Sequence, residues 1–291
     1  MIEVVGTGPQ ASVQDLGRVG YAAWGIAEGG AADRGSLRLA NRLVGNAESA
    51  AAFELLLAGA TLRFESAAVI AVTGATGPFI VDGRAGRCDG PQLVPAGAVV
   101  RFSPPAQRLR TYVAVRGGVA TDLVLGSRAT DERSGLGRAL RAGDVVPIGS
   151  DVVGPPLVDV APVARWPAGS VTLHGVVGPR EDWFTAESLD AFGRSDYTVA
   201  ATSDRVGIRL DGPPLQRRDD EAELLSEPTI RGAIEIPPDG RPIIFSADHP
   251  TTCGYPVVAV LDPHSADVAA QCRPGQSVTF ALTTLASRMD A

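Results

Sequence analysis

The sequence predicts an all-β protein, built mainly of short strands with a few short helices. It has 34 glycines and 22 prolines among 291 residues, well above the roughly 12% of a typical soluble protein, and both residues interrupt helices. Short apolar or alternating segments recur along the chain, with Gly, Pro and Asp between them. Strands of this length at regular spacing are typical of β-sandwiches and β-barrels.

The pattern of apolar residues predicts nine strands and three helices. The predicted strands cover residues 61–64, 69–73, 99–102, 111–115, 171–173, 207–210, 243–245, 257–261 and 278–282. The clearest helix begins after Asp33, a good N-terminal cap, and ends at Gly45. Two further helices are predicted over 181–191 and 265–271.

The length fits one large or two medium-sized domains. Prolines cluster between residues 155 and 167, in a stiff segment that is poor in apolar residues. We therefore predict one domain over residues 1–155 and a second over 156–291, with an exchange of segments between them allowed. Residues 95–102 and 273–280 each read as a turn followed by a strand, which indicates a duplicated β-rich unit.

All 26 basic residues are arginines, because the sequence contains no lysine. A P-loop holds phosphates with a lysine, Schiff-base enzymes use its amine, and biotin carriers are acylated on it. The chain by itself is expected to be none of these and to carry no covalent biotin. Its net charge of −7 argues against nucleic acid or a membrane as partner and favours a protein or a small molecule.

The cysteines and histidines show no paired spacing of the kind that metal ligands require. The cysteines are Cys88, Cys253 and Cys272, and there are only three histidines. We expect free thiols and no metal site. No stretch approaches the ~20 apolar residues of a membrane helix, and the first residues lack a secretory leader pattern. A soluble, cytoplasmic protein is the expectation.

Two polar, glycine-rich clusters lie in the first half of the chain. In the first, Gln14, Asp15 and Arg18 bring together an amide, a carboxylate and a guanidinium, which can orient a small polar substrate, and Asp33 follows. A turn held by a local Asp15–Arg18 ion pair explains them equally well. In the second, Arg116 follows a strand and precedes two glycines, so it suits a carboxylate or a phosphate. An ordinary hairpin also explains the glycines.

Two further clusters lie in the second half. In the third, alternation along residues 203–210 puts Arg205 and Arg209 on one face of a strand. Such a row suits an anion, although arginines on a strand are more often simply exposed to solvent. The fourth cluster begins around Glu235 and continues into the loop that follows the predicted strand 243–245.

This loop carries the densest set of acid and base groups in the chain. Asp248 precedes His249, and Thr251 and Tyr255 follow. Histidine ordinarily titrates near neutrality, so His249 is the best candidate for a general acid or base, with Asp248 able to fix its tautomer. A structural hydrogen-bonding histidine is the alternative. We predict Asp248, His249 and Tyr255 as catalytic candidates, and Gln14, Asp15, Arg18, Asp33, Arg116, Arg205, Arg209, Glu235 and Thr251 as substrate-binding candidates.

Several of these motifs, in fixed order over nearly the whole chain, carry a resemblance to a known family. They are Gln14-Asp15-Leu16-Gly17-Arg18, Gly30-Ala31 with Asp33, Ala40-Asn41, Gly45-Asn46, Arg116-Gly117-Gly118, Leu125-Gly126-Ser127, Gly178-Pro179-Arg180, Arg205 with Gly207 and Arg209-Leu210, and the loop from Asp248 to Pro256. The chain resembles the KipA-like family, whose members are known also as the C subunit of 5-oxoprolinase, allophanate hydrolase subunit 2 or biotin-dependent carboxyltransferase family proteins. It departs from the residues common in that family at Glu235 for Gln, Ala129 for Ser, Pro250 for Gln and Cys253 for Gly.

The resemblance implies two cyclophilin-like β-barrel domains in tandem and a complex with a KipI-like subunit. With a third, LamB/YcsF-like subunit, such pairs open 5-oxoproline to glutamate at the expense of ATP, used with Mg. The chain is thus expected to be a subunit of an ATP-dependent 5-oxoprolinase. It is expected to be inactive alone, and ATP is used by the complex without necessarily binding this chain.

Two alternatives accompany this expectation. Fused relatives in urea amidolyase transfer a carboxyl group from biotin to urea, so the chain could be a carboxyltransferase subunit that uses biotin carried on another chain. It could also be a non-catalytic regulator that binds a KipI-like kinase inhibitor and keeps it from its histidine kinase.

Overall fold

Short strands account for most of the regular structure of the chain, which confirms the predicted all-β class. The computed structural model describes residues 1–219 and 223–284. They form two compact units, the first made of Met1–Val19 and Glu28–Trp166 and the second of Gly20–Ala27 and the described residues from Pro167 onward. The predicted domain boundary between residues 155 and 156 stays a prediction, because the two units are defined by how compactly their residues pack and not as separate domains.

The first unit contains two antiparallel sheets and one α-helix. Its strands are β1 (Ile2–Thr7), β2 (Gln10–Gln14), β3 (Ala52–Leu56), β4 (Ala60–Phe64), β5 (Ala68–Gly74), β6 (Phe79–Val81), β7 (Arg84–Ala85), β8 (Pro91–Val94), β9 (Val99–Phe102), β10 (Arg110–Val115) and β11 (Val145–Val146). One sheet has the order β11-β1-β4-β9-β6-β7, and the other has the order β2-β3-β10-β5-β8. Buried side chains of both sheets, among them Phe53, Phe64, Phe102 and Val113, form one hydrophobic core.

Helix α1 (Arg34–Val44) packs its apolar face on the second of these sheets. Asp33 caps its start, because the side chain accepts a hydrogen bond from the Ser36 N–H. Gly45 ends it in the left-handed conformation, at φ 73°, where a residue with a Cβ would be strained. The predicted start and end of this helix are confirmed.

The second unit closes into a seven-stranded barrel with the strand order β12-β19-β16-β17-β14-β13-β20. The strands of the unit are β12 (Val171–Val177), β13 (Tyr197–Val199), β14 (Gly207–Asp211), β15 (Glu227–Pro228), β16 (Ala233–Glu235), β17 (Ile243–Phe245), β18 (Thr252–Cys253), β19 (Val257–Leu261) and β20 (Ser277–Thr283). The short strands β15 and β18 pair outside the barrel. All nine predicted strands of the chain coincide with observed ones.

The two helices of the second unit differ from the predicted ones at their ends. A 3-10 turn (Glu181–Trp183) occupies the start of the predicted helix 181–191, and α2 (Ala186–Arg194) begins only after Thr185, whose side chain caps it. Helix α3 (Pro263–Ala269) starts before the predicted residue 265, because Asp262 is the N-terminal cap. No helix in the described parts of the chain is long and apolar enough to cross a membrane.

The two repeated phrases adopt the same local structure. In residues 95–102, the Ala98 N–H donates a hydrogen bond to the Pro95 carbonyl, and the turn that this bond closes leads into β9. In residues 273–280, the Gln276 N–H donates a hydrogen bond to the Arg273 carbonyl, and this turn leads into β20. The predicted sequence of turn and strand is therefore confirmed in both places.

Candidate functional site

Arg205 and Asp248 form a fork-shaped ion pair in the second unit. Arg205 Nε donates to Asp248 Oδ2 over 2.7 Å, and Arg205 Nη2 donates to Asp248 Oδ1 over 3.0 Å. The backbone joins them too, because the Asp248 N–H donates to the Arg205 carbonyl over 2.8 Å. The side chains are only 12% and 9% exposed. A buried two-point pair fixes the loop that carries Asp248 against the segment that precedes β14.

His249, the next residue along the chain, is buried, and its ring nitrogen has defined partners. Nδ1 lies 2.7 Å from the Pro250 carbonyl oxygen and 3.3 Å from Thr229 Oγ1. A carbonyl oxygen only accepts, so Nδ1 carries a proton in this arrangement. The ring also stacks on Phe245 with centroids 5.8 Å apart. The orientation of His249 is therefore set by contacts with its own loop and with Thr229.

Buried Glu235 and half-buried Cys253 are in contact in the same unit. Cys253 Sγ donates to Glu235 Oε2 over 2.8 Å. Burial raises the pKa of the Glu235 carboxyl, and the Cys253 hydrogen bond and the charge of Arg209 oppose that rise. Burial and the hydrogen bond to Glu235 raise the pKa of Cys253 to about 11. The pair therefore favours its protonated forms more than exposed groups would.

Three further predicted residues lie around these groups. Arg209 is exposed on β14, and its charge acts on Glu235. The predicted row of Arg205 and Arg209 on one strand face is wrong, because β14 begins at Gly207 and Arg205 lies before it. The Thr251 carbonyl accepts from the Thr229 N–H over 3.0 Å and continues the pairing of β15 with β18. Tyr255 is 40% exposed at the end of the loop.

Sequence reasoning missed three charged residues near this loop. Arg180 forms a two-point ion pair with Glu227, through Nε at 3.0 Å and through Nη2. Glu227 also pairs with Cys253 in the β15–β18 ladder. Arg217 Nη2 donates to the carbonyl of Ile236, whereas its buried Nε has no hydrogen-bond partner among the described residues. The Gly178-Pro179-Arg180 motif was the available signal for Arg180, but its partner is 47 residues away.

The second unit contains side chains of the types that acid–base chemistry on a small polar molecule uses. His249 offers an imidazole with a proton on Nδ1, Glu235 offers a carboxyl with a raised pKa, and Arg209 offers an exposed cation. No group of three or more His, Cys, Asp or Glu side chains that could hold a metal ion occurs among residues 1–219 and 223–284.

In the first unit, Asp15 serves as a hub for two loops. Its Oδ1 accepts from the Gly17 N–H over 2.8 Å and from Ser127 Oγ over 2.7 Å, and its Oδ2 accepts from the Arg128 N–H over 2.7 Å. An Asp15–Arg18 ion pair, the alternative explanation of this cluster, is absent from the described residues. Arg18 is buried and donates instead to the Ala129 carbonyl.

The other predicted residues of the first unit also have structural contacts. Gln14 Nε2 donates to Ser12 Oγ and to the Thr130 carbonyl, each over 3.0 Å. Asp33 caps α1 at its start, and Arg116 Nη1 donates to the Val44 carbonyl at its end over 2.6 Å. Their roles in substrate binding stay predictions.

Comparison with known proteins shows matches over nearly the whole chain. The family model for the carboxyltransferase domain, subdomain A and B, matches residues 24–282. The C subunit of the Escherichia coli 5-oxoprolinase is 34% identical, over 100% of this chain and 94% of its own length. The protein of the same name from Haemophilus influenzae is 32% identical, over 98% and 92%. The urea amidolyase of Saccharomyces cerevisiae is 32% identical, but the chain spans only 16% of it.

Solved structures give the same result. The crystal structure of TTHA0988 superposes with a TM-score of 0.85 at 33% identity, over 96% of this chain and 55% of the other. The urea amidolyase of K. lactis superposes with a TM-score of 0.90 at 28% identity, over 97% of this chain and 18% of the other. The chain therefore spans about half of the first of these proteins and a small part of the second. Sequence and fold agree, and the protein belongs to the family of the carboxyltransferase domain, subdomain A and B, as its resemblance to the KipA-like proteins predicts.

Proposed function

We propose that this chain is one subunit of an ATP-dependent 5-oxoprolinase, which converts 5-oxo-L-proline into L-glutamate together with a KipI-like and a LamB/YcsF-like subunit. The observation that carries the proposal is mutual coverage. The match to the C subunit of the E. coli 5-oxoprolinase extends over 100% of this chain and 94% of that protein. By contrast, the urea amidolyases are several times longer than the part they share with this chain.

The chemistry of ring opening fits the groups around His249. Hydrolysis adds water across the lactam C–N bond, so a base must take a proton from the water and an acid must return one to the leaving nitrogen. His249 suits the first task, because Nδ1 carries a proton and Nε2 is then the acceptor when the ring is neutral. Tyr255 offers an exposed hydroxyl on the same loop, and Arg209 offers an exposed cation for the substrate carboxylate.

ATP, which activates the poorly electrophilic lactam, is assigned to the complex. A triphosphate cradle needs several unpaired cationic or N–H donors. The chain has no lysine. Arg180 and Arg205 each form an ion pair with a carboxylate. We therefore derive no step through the nucleotide.

The decisive experiment is reconstitution. The chain is purified together with a KipI-like and a LamB/YcsF-like subunit, and ATP hydrolysis is measured with and without 5-oxo-L-proline. We expect ATP hydrolysis that depends on 5-oxo-L-proline and is lost when any one subunit is left out. A complete complex without this dependence would contradict the proposal, and so would turnover by the isolated chain at the rate of the complex.

A second candidate function is carboxyl transfer from biotin carried on another chain. The observation in its favour is the similarity to the K. lactis urea amidolyase, with a TM-score of 0.90. Its test is to supply the purified complex with a carboxybiotinylated carrier protein and urea. Carboxylation of urea in place of 5-oxoproline-dependent ATP hydrolysis would favour this candidate over the first.

A further inference from the structure

A cavity of about 400 Å³ is lined wholly by residues of the first unit. Its walls come from β2, from β11 and from the long connection between β10 and β11. This volume falls in the ~300–1,000 Å³ range of small-molecule sites. Val13, Leu136, Leu140 and Val146 supply apolar surface, so the cavity can hold a compact apolar body.

One wall of the cavity is fixed by the hub residue Asp15. The Asp15 carboxylate accepts from Ser127 Oγ and from the Arg128 N–H, each over 2.7 Å. Ser127 Oγ in turn accepts from the Ala129 N–H over 3.0 Å. The Arg128 guanidinium is held as well, because its Nη1 donates to the Thr121 carbonyl. Arg128 therefore stands in the cavity wall on a preorganised backbone and with an anchored side chain.

The two arginines of the cavity differ in their electrostatic state. Arg138 makes a two-point ion pair with Asp144, at 2.8 and 2.7 Å, and this hydrogen bonding lowers the pKa of Asp144 to about 2. Arg128 makes no ion pair with any residue in the described parts of the chain. Asp122 also lines the cavity, but it is exposed, so solvent screens its charge. Arg128 thus supplies the cavity with a cation that no carboxylate neutralises.

Buried polar atoms without partners cluster around the same wall. Thr121 lines the cavity, and its buried Oγ1 has no hydrogen-bond partner among residues 1–219 and 223–284. The same holds for Gln14 Oε1, Arg18 Nε and Nη1, and Asp131 Oδ2, on side chains that contact or adjoin the segment 129–131. Buried polar atoms are normally satisfied by protein, water or ligand. These atoms have almost no accessible surface, so the contact with a charged group of a ligand falls to Arg128.

We propose that the cavity binds a small carboxylate with a compact aliphatic body. The Arg128 guanidinium takes the carboxylate, and the apolar side chains around Leu136 pack against the aliphatic part. The proposal does not rest on the proposed function, because the cavity and its residues belong to the first unit alone.

The test is a titration of the full chain, labelled with ¹⁵N, with isovalerate and separately with isovaleramide. The two probes have the same carbon skeleton, and only the first carries a charge. We expect isovalerate to bind in about the millimolar range and to shift the amide signals of Thr121 and of residues 127–130. Isovaleramide should bind at least tenfold more weakly. Equal binding of the two probes, or binding of neither, would overturn the proposal.

Variants locate the site. Arg128→Met should weaken isovalerate binding at least tenfold, whereas the matched control Arg133→Met, which removes an exposed arginine of the same loop, should leave it unchanged. An equal loss in both variants would show a general charge effect and overturn the proposal. Leu136→Trp fills the cavity and keeps Arg128, so it gives an independent test should Arg128→Met not fold. Unchanged binding in a folded Leu136→Trp variant would equally overturn the proposal.

Discussion

The Cys253 thiol donates a hydrogen bond to Glu235 Oε2 over 2.8 Å, so two of the four residues that depart from the family's common ones are partners. A glycine at position 253 has no side-chain donor, and a glutamine at 235 carries no ionisable group. In this chain both positions carry titratable groups, and burial raises the pKa of both. The pair therefore allows the raised pKa values in the second unit to be tested directly by substitution.

Replacement of Glu235 by Gln should change how stability depends on pH. Burial raises the pKa of Glu235 in the folded chain above its ordinary 4.5. Its contribution to the free energy of unfolding is therefore present below pH 4.5 and is lost as the pH rises through the folded-state pKa. Glutamine does not titrate, so Glu235→Gln should gain stability relative to the wild type between about pH 4.5 and about pH 8.

Urea unfolding at the two pH values measures this gain. Glu187→Gln is the control, because Glu187 is exposed on α2. A stability difference between wild type and Glu235→Gln that stays constant with pH, or that moves the other way, would contradict the assignment of a raised pKa.

Alkylation of Cys253 should be slow and should depend on Glu235. With a pKa of about 11, only about one thiol in a thousand is ionised near pH 8. Removal of the neighbouring carboxylate in Glu235→Gln should lower that pKa and accelerate the reaction with iodoacetamide. Peptide mass spectrometry separates Cys253 from Cys88 and Cys272. The rate at Cys272 serves as internal control, and a rate at Cys253 that does not rise in the variant would count against the coupling.

The elements that were predicted correctly are those with a strong local signal. Alternating apolar residues identify central strands such as β5 and β19, and an Asp cap with a terminal Gly identifies α1. Among the strands that were missed, β7 and β15 have only two residues each, whereas β1 and β3 are longer and contribute apolar side chains to the core. Strands as short as β7 and β15 depend on their pairing with β6 and β18 rather than on their own sequence.

The site residues that could be predicted were also those with a local signal in the sequence. Proximity in sequence revealed the loop that carries Asp248 and His249, since its acid and base groups are neighbours along the chain. The partners of those groups come from elsewhere. Arg205 is 43 residues from Asp248, and Ser127 is 112 residues from Asp15. Only the tertiary fold shows that Asp15 holds a loop and that Arg205 is paired with a carboxylate.

Replacement of His249 by Gln separates a catalytic from a structural role. If His249 is a general acid or base in the reconstituted complex, turnover should fall by about 10²-fold or more while the melting temperature of the chain changes little. His264→Gln is the matched control, because His264 is exposed on α3. An unstable but fully active His249→Gln variant would remove His249 from the candidate catalytic residues.

Tyr112 connects the start of α1 with the buried Glu54. Its hydroxyl accepts from the Asp33 N–H and donates to Glu54 Oε2, each over 2.7 Å. Tyr112→Phe removes both hydrogen bonds in a buried place, so it should lower the free energy of unfolding by about 1–3 kcal/mol. Tyr21→Phe, at a partly exposed site, should change it by less than about 0.5 kcal/mol. Chemical denaturation measures both values, and equal small effects would contradict a structural role for this hydroxyl.

The ion pair of Arg205 and Asp248 should behave as a buried unit. Arg205→Ala leaves the Asp248 carboxylate without its fork partner at a site only 9% exposed, so we expect a loss of about 3 kcal/mol or more in the free energy of unfolding. The double variant Arg205→Ala/Asp248→Ala should lose less than the sum of the two single variants. Arg194→Ala, which breaks the exposed pair with Asp190 on α2, should cost less than about 0.5 kcal/mol. A loss in Arg205→Ala no larger than in Arg194→Ala would contradict this. Because the Arg205→Ala variant is expected to be less stable, a fraction of its molecules can be unfolded during an assay. Its turnover is therefore measured well below its melting temperature and divided by the amount of folded protein.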